Sequence, residues 1–580
     1  MRSVRIILAW LGLLTSAAYS QPAGLAPVQA ASSSENALKT LFPEAQLTLD
    51  PKTGNVLRAT SLSSGKGVLA DPDPRKVATR ALGLLVVKEA LGVSDRPGAD
   101  QSVEVMGDTP DPFDPTRKIV TLQQKINGLP VYGGTARVIV SATAPASAPL
   151  VHAKSYVLDS MTSNFFASAQ IIPPAQQVTQ SSANAVASEA YTSSVQTDKR
   201  LGGESKLYPD AVKSVSSSLF MFDPHSLGAD DTGGLRPTWV VKIGSMVYFV
   251  DATSAKLLHQ YRDLAFVTGF QVNDWKSGSV AHIVYSDPAP GATHAAVAAS
   301  GPVANLLKSR AFLSGQLKFA FLGRSACAGF PEPAKVSVNV DYDLSMNGQL
   351  SFYQSGPAPA VYLAPGTADA QDVVTHELTH GVTYGMTCIA PVYYSGAVSE
   401  FLSDFLAIVQ KQQDKNDPSL WTIGESLSGY QPPNFPLRDF RSPHLDGFDK
   451  TAEHGAGNNG QPENWGEHVT SSDVVCFFDS LASCAHLNSG ILSKAAYLAA
   501  SGGQYTGQTI VPIGLKKLTT IVVGSVPYFQ GTVCLQNYIT AAMDSCSSAS
   551  SSPSTGISST DCANLRSAFT SVGLTESACQ

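Results

Sequence analysis

The sequence predicts an α+β, multi-domain protein in which β-rich units precede a two-lobed domain with a β-rich lobe and a helical lobe. Its 580 residues exceed what one hydrophobic core can serve, so we expect at least three folded units. In the first half, apolar residues alternate as in strands, for example at residues 119–124 and 239–251. In the second half they recur at three- and four-residue steps, as at residues 397–406, which is typical of packed helices.

The composition indicates a mildly acidic globular protein. Charged residues make up 15% of the chain, and the formal net charge is −7. A chain of this kind has no extended basic surface, so we do not expect it to bind nucleic acid.

Residues 1–20 are predicted to be a secretory signal peptide. A basic start precedes an apolar run at residues 6–14, which is too short to span a bilayer, and Ala18 and Ser20 mark a cleavage site before Gln21. The alternative is an N-terminal membrane anchor. No other run approaches membrane length, so we expect a secreted, extracellular protein without a membrane partner.

Residues 21–149 are predicted to form the first β-rich unit. A helical run over Val77–Leu91 precedes a strand at Ile119–Gln124. The Asn127-Gly128 pair that follows is a hairpin-turn signal. Small residues at Ser141–Pro149 indicate a linker to the next unit.

Residues 150–266 are predicted to form the second unit. Strands are expected at Trp239–Gly244, Met246–Asp251 and Ala252–Leu258, with a weakly specified helix at 176–193. The alternative for both units is that they are ordinary β-rich domains with unrelated roles.

Residues 267–580 are predicted to form the third domain. We expect residues 267–360 to be mainly β, with a strand at Val336–Tyr342, and residues 361–580 to be mainly helical. The two lobes would meet at a helix over residues 371–385, with an active site in the cleft between them.

That helix carries the pattern His-Glu-x-x-His. His376 and His380 are four residues apart, so they share one helix face and can bind the same ion. Glu377 lies beside them, where it can accept a proton from a water. The alternative is a polar stripe on a surface helix.

A second helical run supplies a third ligand. Glu400 lies in the run over residues 397–406, and a zinc enzyme needs three protein ligands and one open position. Asp404 is four residues further on and shares the face of Glu400, so it can orient a ligating imidazole.

The phrases HELTHGVT and YSGAVSEFLSD resemble the active-site helices of thermolysin-like zinc metalloproteases. The resemblance implies one catalytic zinc ion on His376, His380 and Glu400, with Glu377 as general base and Asp404 behind His376. Residues 21–149 resemble the inhibitory propeptide module of such precursors, and residues 150–266 are similar to their PepSY module.

The same resemblance assigns further site residues. The phrase AHLNSGI implies that His486 stabilises the oxyanion, and LRDFRSP implies that Arg438 binds a substrate carbonyl. Leu437 and Val373 match positions that line the apolar pocket for the residue after the cut. The alternatives are a packing role for His486 and a solvated charge for Arg438.

Two catalytic positions depart from the family pattern. Pro391 stands where the family has a tyrosine beside the zinc, and only a shifted loop would let Tyr393 or Tyr394 replace it. Leu481 stands where a carboxylate orients the catalytic histidine. An insertion at residues 476–484 would move that role to Asp473, with Asp479 as the alternative.

The family's paired calcium site also looks lost. Asp372 and Glu425 are retained, but Lys411 replaces an expected carboxylate, and Thr422 lies near the place of another. Calcium needs several oxygen ligands, so we expect the ammonium group of Lys411 to take the place of a cation.

Eight cysteines, all after residue 326, indicate disulfides in a secreted chain. Eight cysteines allow many pairings. The pairs expected are Cys476–Cys484, Cys327–Cys388, Cys534–Cys579 and Cys546–Cys562.

The resulting prediction is a secreted, monomeric zinc endopeptidase, made as a zymogen and acting on proteins or peptides. The propeptide would serve as intramolecular inhibitor and chaperone. A zinc aminopeptidase is one alternative, but no free-amine anchor such as G-x-M-E-N precedes the His-Glu-x-x-His pattern. The other is a non-catalytic binding protein on a decayed protease fold.

Overall fold

A computed structural model gives the architecture of the chain. It describes residues 31–49, 56–63, 70–84, 101–114, 116–143, 155–163, 165–166, 178–197, 215–227, 234–243, 246–262, 270–274, 282–286, 302–317, 336–340, 351–354, 360–364, 366–387, 389–390, 392–427, 436–445, 460–470, 481–529 and 533–576.

In the N-terminal part, the described residues form two helices and an antiparallel sheet. The elements are α1 (Ala31–Leu41), β1 (Gln46–Leu49), β2 (Val56–Thr60), β3 (Ala70–Asp71), α2 (Pro74–Gly83), β4 (Gln101–Pro110), β5 (Arg117–Ile126), β6 (Leu129–Thr143) and β7 (Ser155–Ser163). The predicted turn between β5 and β6 is confirmed. Asn127 and Gly128 both have positive φ, at 52° and 76°, as a two-residue type I′ hairpin requires.

The two faces of β5 and β6 pack against different partners. Val120 and Val138 face a cluster that includes Val77 of α2. Ile119 and Ile139, one position along each strand, belong instead to the core of the C-terminal helices. The sheet therefore lies between α2 and the C-terminal helices.

Three boundaries in this part differ from the sequence prediction. Helix α2 begins at Pro74, because the Asp73 side chain accepts a hydrogen bond from Arg75 N, and it ends at Gly83. The rest of the predicted helix, residues 85–91, lies outside the described residues. Strand β6 runs on to Thr143, so the predicted linker does not begin at Ser141.

Strand β7 lies after the predicted unit boundary at 149/150, yet it belongs to the first sheet. It pairs antiparallel with β6 from Ala136↔Ser163 to Thr143↔Ser155. The hydrogen-bonded ladder therefore crosses that boundary.

The second part continues the sheet. Its elements are α3 (Gln180–Thr197), β8 (Ser216–Phe222), β9 (Arg236–Ile243), β10 (Met246–Asp251) and β11 (Leu257–Arg262). A parallel bridge, Val131↔Met221, joins β6 to β8. Within the described residues the whole sheet has eleven strands.

The prediction of a strand at Ala252–Leu258 was wrong for most of its length. Oδ1 of Asp251 accepts hydrogen bonds from the backbone N–H groups of Thr253 and Ser254, at 2.7 and 2.9 Å. Ala255 follows with a positive φ of 59°. This side-chain-capped turn delays the next strand to Leu257.

Residue His259 on β11 makes the stability of the second part sensitive to acid. Burial lowers the pKa of this imidazole to about 4 from 6.5. The unfolded chain binds the proton first, so stability is complete above about pH 6.5 and is lost as the pH falls towards 4.

We expect acidification to reduce the free energy of unfolding by about 3 kcal/mol at most through His259. Urea unfolding of the wild type and of His259→Phe at neutral and mildly acidic pH measures it. The variant is expected to lose less stability on acidification. An identical loss in both proteins would contradict the assignment.

In the middle of the chain, the described residues form five strands and one helix. The elements are β12 (Phe270–Asp274), β13 (His282–Ser286), α4 (Pro302–Gln316), β14 (Val336–Val340), β15 (Ser351–Gln354) and β16 (Ala360–Leu363). The strands form one sheet in the order β13-β12-β14-β16-β15, with β12, β14 and β16 parallel.

The C-terminal part is mainly helical, as predicted. Its helices are α5 (Gln371–Thr387), α6 (Tyr393–Lys415), α7 (Leu481–Ser501), α8 (Leu515–Ser525), α9 (Leu535–Ser550) and α10 (Ser559–Ser571). Two short hairpins, β17 (Thr422–Ile423) with β18 (Arg438–Asp439) and β19 (Gly503–Tyr505) with β20 (Gln508–Ile510), connect them. Helix α6 is buried from Tyr393 to Gln412.

The second part also touches the C-terminal helices. Phe222 and Phe249, from β8 and β10, form a buried cluster with Ala390 and Val392. These two residues precede α6. The contact therefore reaches the segment that leads from α5 to α6.

One predicted disulfide is confirmed, between Cys546 and Cys562. Cys484 and Cys534 are also disulfide-bonded. Their predicted partners lie outside the described residues, so those pairings stay predictions. Among the described helices, none is long and apolar enough to cross a bilayer.

Candidate metal centre

Helix α5 brings two imidazoles together. One helical turn separates His376 from His380, and their Nε2 atoms lie 3.0 Å apart. Both side chains are 8% exposed. Two nitrogen donors therefore converge in a protected place.

Helix α6 contributes the third predicted ligand. Glu400 Oε2 lies 3.4 Å from His376 Nε2, and Oε1 lies 3.3 Å from His380 Nε2. Donor atoms of the three residues all lie within 4.8 Å of one another.

This donor set fits zinc. Zinc accepts imidazole nitrogen and carboxylate oxygen, and its catalytic sites have three protein ligands with one position open. Packing α6 against α5 buries all three groups.

Neighbouring side chains fix the imidazoles. His376 Nδ1 lies 2.7 Å from Asp404 Oδ1, as the sequence predicted. His380 Nδ1 lies 3.0 Å from Ser399 Oγ, a partner that the sequence analysis missed. Such contacts set the tautomer and leave Nε2 free for a metal.

Buried charges dominate the electrostatics. Burial disfavours a charged imidazole, but Asp404 and Glu400 outweigh it and raise the pKa of His376 to about 10. Burial also disfavours a charged Glu400, yet His486, His380 and His376 hold the pKa of this carboxyl well below its usual value.

Arg438 lies deeper than a substrate-binding role alone would require. Nη1 is 2.5 Å from Asp404 Oδ1, and Nη2 is 3.3 Å from Glu400 Oε2. The β17–β18 pair places it there, with Ile423 opposite Arg438. Its guanidinium joins the two carboxylates of α6, a contact that the sequence analysis did not predict.

The two predicted pocket residues both reach the apolar core. Val373 is 4% exposed and lies within the core of the C-terminal helices. Leu437 packs against that core and against Gly424, whose φ is +80°. Their role in binding a substrate side chain stays a prediction.

His486 extends from α7 towards the ligands. Its Nε2 lies 3.3 Å from Glu400 Oε2, and its side chain is 33% exposed, more than that of either ligating histidine. Burial, opposed by Glu400, lowers the pKa of His486. Gln461 donates a hydrogen bond to the His486 carbonyl, which no sequence motif indicated.

The predicted orienting residues for His486, Asp473 and Asp479, lie outside the described residues, as does Pro391. Tyr393 and Tyr394 begin α6, and their ring centroids are 4.0 Å apart. The Tyr394 ring also packs against Trp465, at 5.4 Å.

Lys411 lies among the oxygen atoms where the sequence predicts that the family's calcium site is lost. Lys411 Nζ lies 3.0 Å from Asp372 Oδ2 and 2.9 Å from the Thr422 carbonyl, and it pairs with Glu425. Gly424 N donates to Asp372 Oδ2 at 3.0 Å. The ammonium group therefore uses the oxygen atoms that calcium would need.

Known proteins match part of the chain. Residues 392–574 match the family described as thermolysin metallopeptidase, alpha-helical domain. A bacillolysin of Bacillus cereus is 30% identical over 195 residues, which are 33% of this chain and 30% of that protein. A zinc metalloproteinase of Renibacterium salmoninarum is 25% identical over 270 residues, 44% of each chain.

A thermolysin of Alicyclobacillus acidocaldarius is 29% identical over 158 residues, 27% of this chain and 25% of that protein. Among solved structures, a precursor of protealysin from Serratia proteamaculans covers 53% of this chain and 88% of its own, at 19% identity and a TM-score of 0.35. A TM-score this low does not establish a shared fold.

The chain spans between 25% and 44% of the length of these curated relatives. The matched part contains Glu400, Asp404, Arg438 and His486. The predicted resemblance of this chain to thermolysin-like metalloproteases is thereby confirmed.

Proposed function

We propose that this protein is a secreted zinc-dependent endopeptidase that is made as a zymogen. The observation that carries the proposal is the convergence of His376, His380 and Glu400, with Glu377 next to the first ligand. The similarity of residues 392–574 to the thermolysin helical domain supports it.

Each polar residue of the centre has a role in peptide-bond hydrolysis. A zinc ion bound by His376, His380 and Glu400 would polarise the scissile carbonyl and acidify a water molecule. Glu377 accepts the proton of the attacking water and passes it to the departing amine nitrogen. His486 donates a hydrogen bond to the carbonyl oxygen as negative charge develops there.

Arg438 and the apolar residues serve positioning and specificity. Arg438 holds the carboxylates of Glu400 and Asp404 and offers its remaining N–H groups to a substrate carbonyl. Leu437 and Val373 line the pocket for an apolar residue after the cut. Asp473 orients His486.

The N-terminal parts make the chain a zymogen. Residues 1–20 direct secretion, and residues 21–149 and 150–266 form two propeptide units. The contact of Phe222 and Phe249 with Ala390 and Val392 supports this, because β8 and β10 then contact the segment between α5 and α6.

Cleavage of casein by the secreted, processed protein tests the proposal. We expect activity that is lost with a zinc-selective chelator and restored by added zinc. Stoichiometric zinc without cleavage in fully processed protein would overturn it, and would favour a binding protein on a decayed protease fold.

A further inference from the structure

We propose that Gln461 is a positioning residue for His486. Gln461 belongs to residues 460–470, which we call the clamp segment, and this segment holds the first half of α7 and with it the main chain of His486. The proposal rests on the proposed function, because His486 acts on a substrate only if the chain hydrolyses peptides. It adds to that function a residue that lies outside the ligand set.

The carbonyl group of His486 is held by two buried donors. The Gln461 side chain is 1% exposed, and its Nε2 atom donates hydrogen bonds to the His486 carbonyl and, at 3.2 Å, to Ser489 Oγ. Ser489 Oγ donates to the same carbonyl at 2.7 Å, and Ser489 is fully buried. A buried amide that lost this acceptor could not turn to water instead, so the contact is costly to break.

Further contacts press the clamp segment against α7. The side chain of Asn488 donates to the Val469 carbonyl and accepts from Val469 N, both at 2.9 Å. At Gly490, an added Cβ atom would lie 2.6 Å from Gln461 Cβ and 2.7 Å from the Pro462 carbonyl oxygen. The segment and the helix therefore approach so closely that one cannot shift without the other.

The clamp segment is itself bonded to elements outside α7. Gln461 N donates to the Pro443 carbonyl at 3.0 Å, just after β18. Trp465 N donates to the Val572 carbonyl at 2.8 Å, just after α10. The segment thus transmits the position of these elements to α7.

The imidazole of His486 depends on this support. Its side chain is 33% exposed, so packing around the ring covers only part of it, and its Nε2 lies 3.3 Å from Glu400 Oε2. A donor to a developing oxyanion has to stay within about 0.5 Å of its place. Because the ring is partly exposed, the main chain that Gln461 holds decides where the donor stands.

Replacing Gln461 by methionine tests the assignment in the processed full-length protein. Methionine has nearly the same size but no N–H group. We expect kcat for peptide hydrolysis to fall on the order of 10-fold, because a displacement of about 1 Å already costs up to about 10²-fold. The KM and the zinc content should stay within about twofold of the wild-type values.

The matched control is Gln412→Met on α6. Gln412 is 5% exposed, and its Nε2 donates to the Leu420 carbonyl at 2.8 Å, so this variant also removes a buried amide from a main-chain acceptor. The control should keep the wild-type kcat. Equal falls of kcat in the two variants would overturn the assignment.

A double-mutant cycle asks whether Gln461 acts through His486. In protein that already carries His486→Ala, Gln461→Met should have no further effect on kcat, since no imidazole remains to be placed. A full additional loss would reveal a general structural role and would overturn the proposal.

A milder pair of variants covers the case in which Gln461→Met does not fold. Ser489→Ala removes the second donor to the His486 carbonyl and is expected to lower kcat about two- to threefold. Its control is Ser493→Ala, one turn further along α7, where a hydroxyl that is equally buried donates to the Ser489 carbonyl at 3.1 Å. Equal kcat values in the two variants would contradict the role of this carbonyl.

A spectroscopic measurement separates this proposal from the proposed function. The full chain, carrying Glu377→Gln to prevent self-digestion, is labelled with carbon-13 histidine, and the His486 ring resonance is identified by its loss in His486→Gln. Gln461→Met is expected to shift or broaden this resonance, whereas Gln412→Met leaves it unchanged. An unchanged resonance in Gln461→Met would overturn the proposal even if casein is cleaved. A changed one would support it even if casein is not cleaved.

Discussion

Replacing Glu377 by glutamine is expected to reduce peptide hydrolysis roughly 10²- to 10⁴-fold while the zinc content stays at the wild-type level. The amide keeps the size of the side chain but cannot accept a proton from water. Glu377 is 5% exposed and lies one residue from the proposed ligand His376. Because the amide has the same size as the carboxylate, we expect the fold to stay intact. Casein cleavage and metal analysis of the same preparation measure both quantities.

Two further glutamate variants separate zinc binding from proton transfer. Glu400→Gln is expected to lose zinc as well as activity, because it removes an anionic ligand. Glu467→Gln, at a site 40% exposed beside His444, is expected to keep both. Wild-type activity in Glu377→Gln would exclude this residue as the general base.

Replacing Lys411 by methionine is expected to cost about 3–5 kcal/mol of folding stability. The Lys411 side chain is 7% exposed, and the Asp372 carboxylate beside it is 3% exposed. Without the ammonium group, the carboxylates of Asp372 and Glu425 lose the cation that they share. Urea unfolding of the wild type and the variant measures the difference.

The effect of calcium on the stability of Lys411→Met is a second test. Added calcium is expected to recover part of the lost stability in Lys411→Met, because a cation can then bind the oxygen atoms that the ammonium group has left. The wild type should be insensitive to a calcium-selective chelator. Lys308→Met is the control, since Lys308 is 53% exposed in its pair with Asp414 and should cost no more than about 1 kcal/mol. Wild-type destabilisation by the chelator would contradict the assignment.

Helical geometry made the ligand set predictable from the sequence. Residues four apart on one helix must lie close together, so the proximity of His376 and His380 needed no knowledge of the fold. Glu400 and Asp404 followed in the same way from a second helix. Lys411 was predictable because its charge stands where acidic residues were expected.

Contacts that depend on distant pairing were not predictable. Arg438 reaches Asp404 only because β17 pairs with β18. Strands of two residues leave no recognisable pattern in a sequence. The strand predicted at Ala252–Leu258 failed because apolar content does not reveal a turn capped by the Asp251 side chain. The pairing of β6 with β7 was not predicted, because the small residues between these strands indicated a linker between two units.

The two isoleucines at 119 and 139 have a consequence for biosynthesis. They complete the core of helices that leave the ribosome several hundred residues later. Because N-terminal segments generally fold first during translation, we expect the β5–β6 face to form before α8 and α9 emerge. The sheet would then act as a template. Helices α8 and α9 would pack against a folded apolar surface and not only against each other.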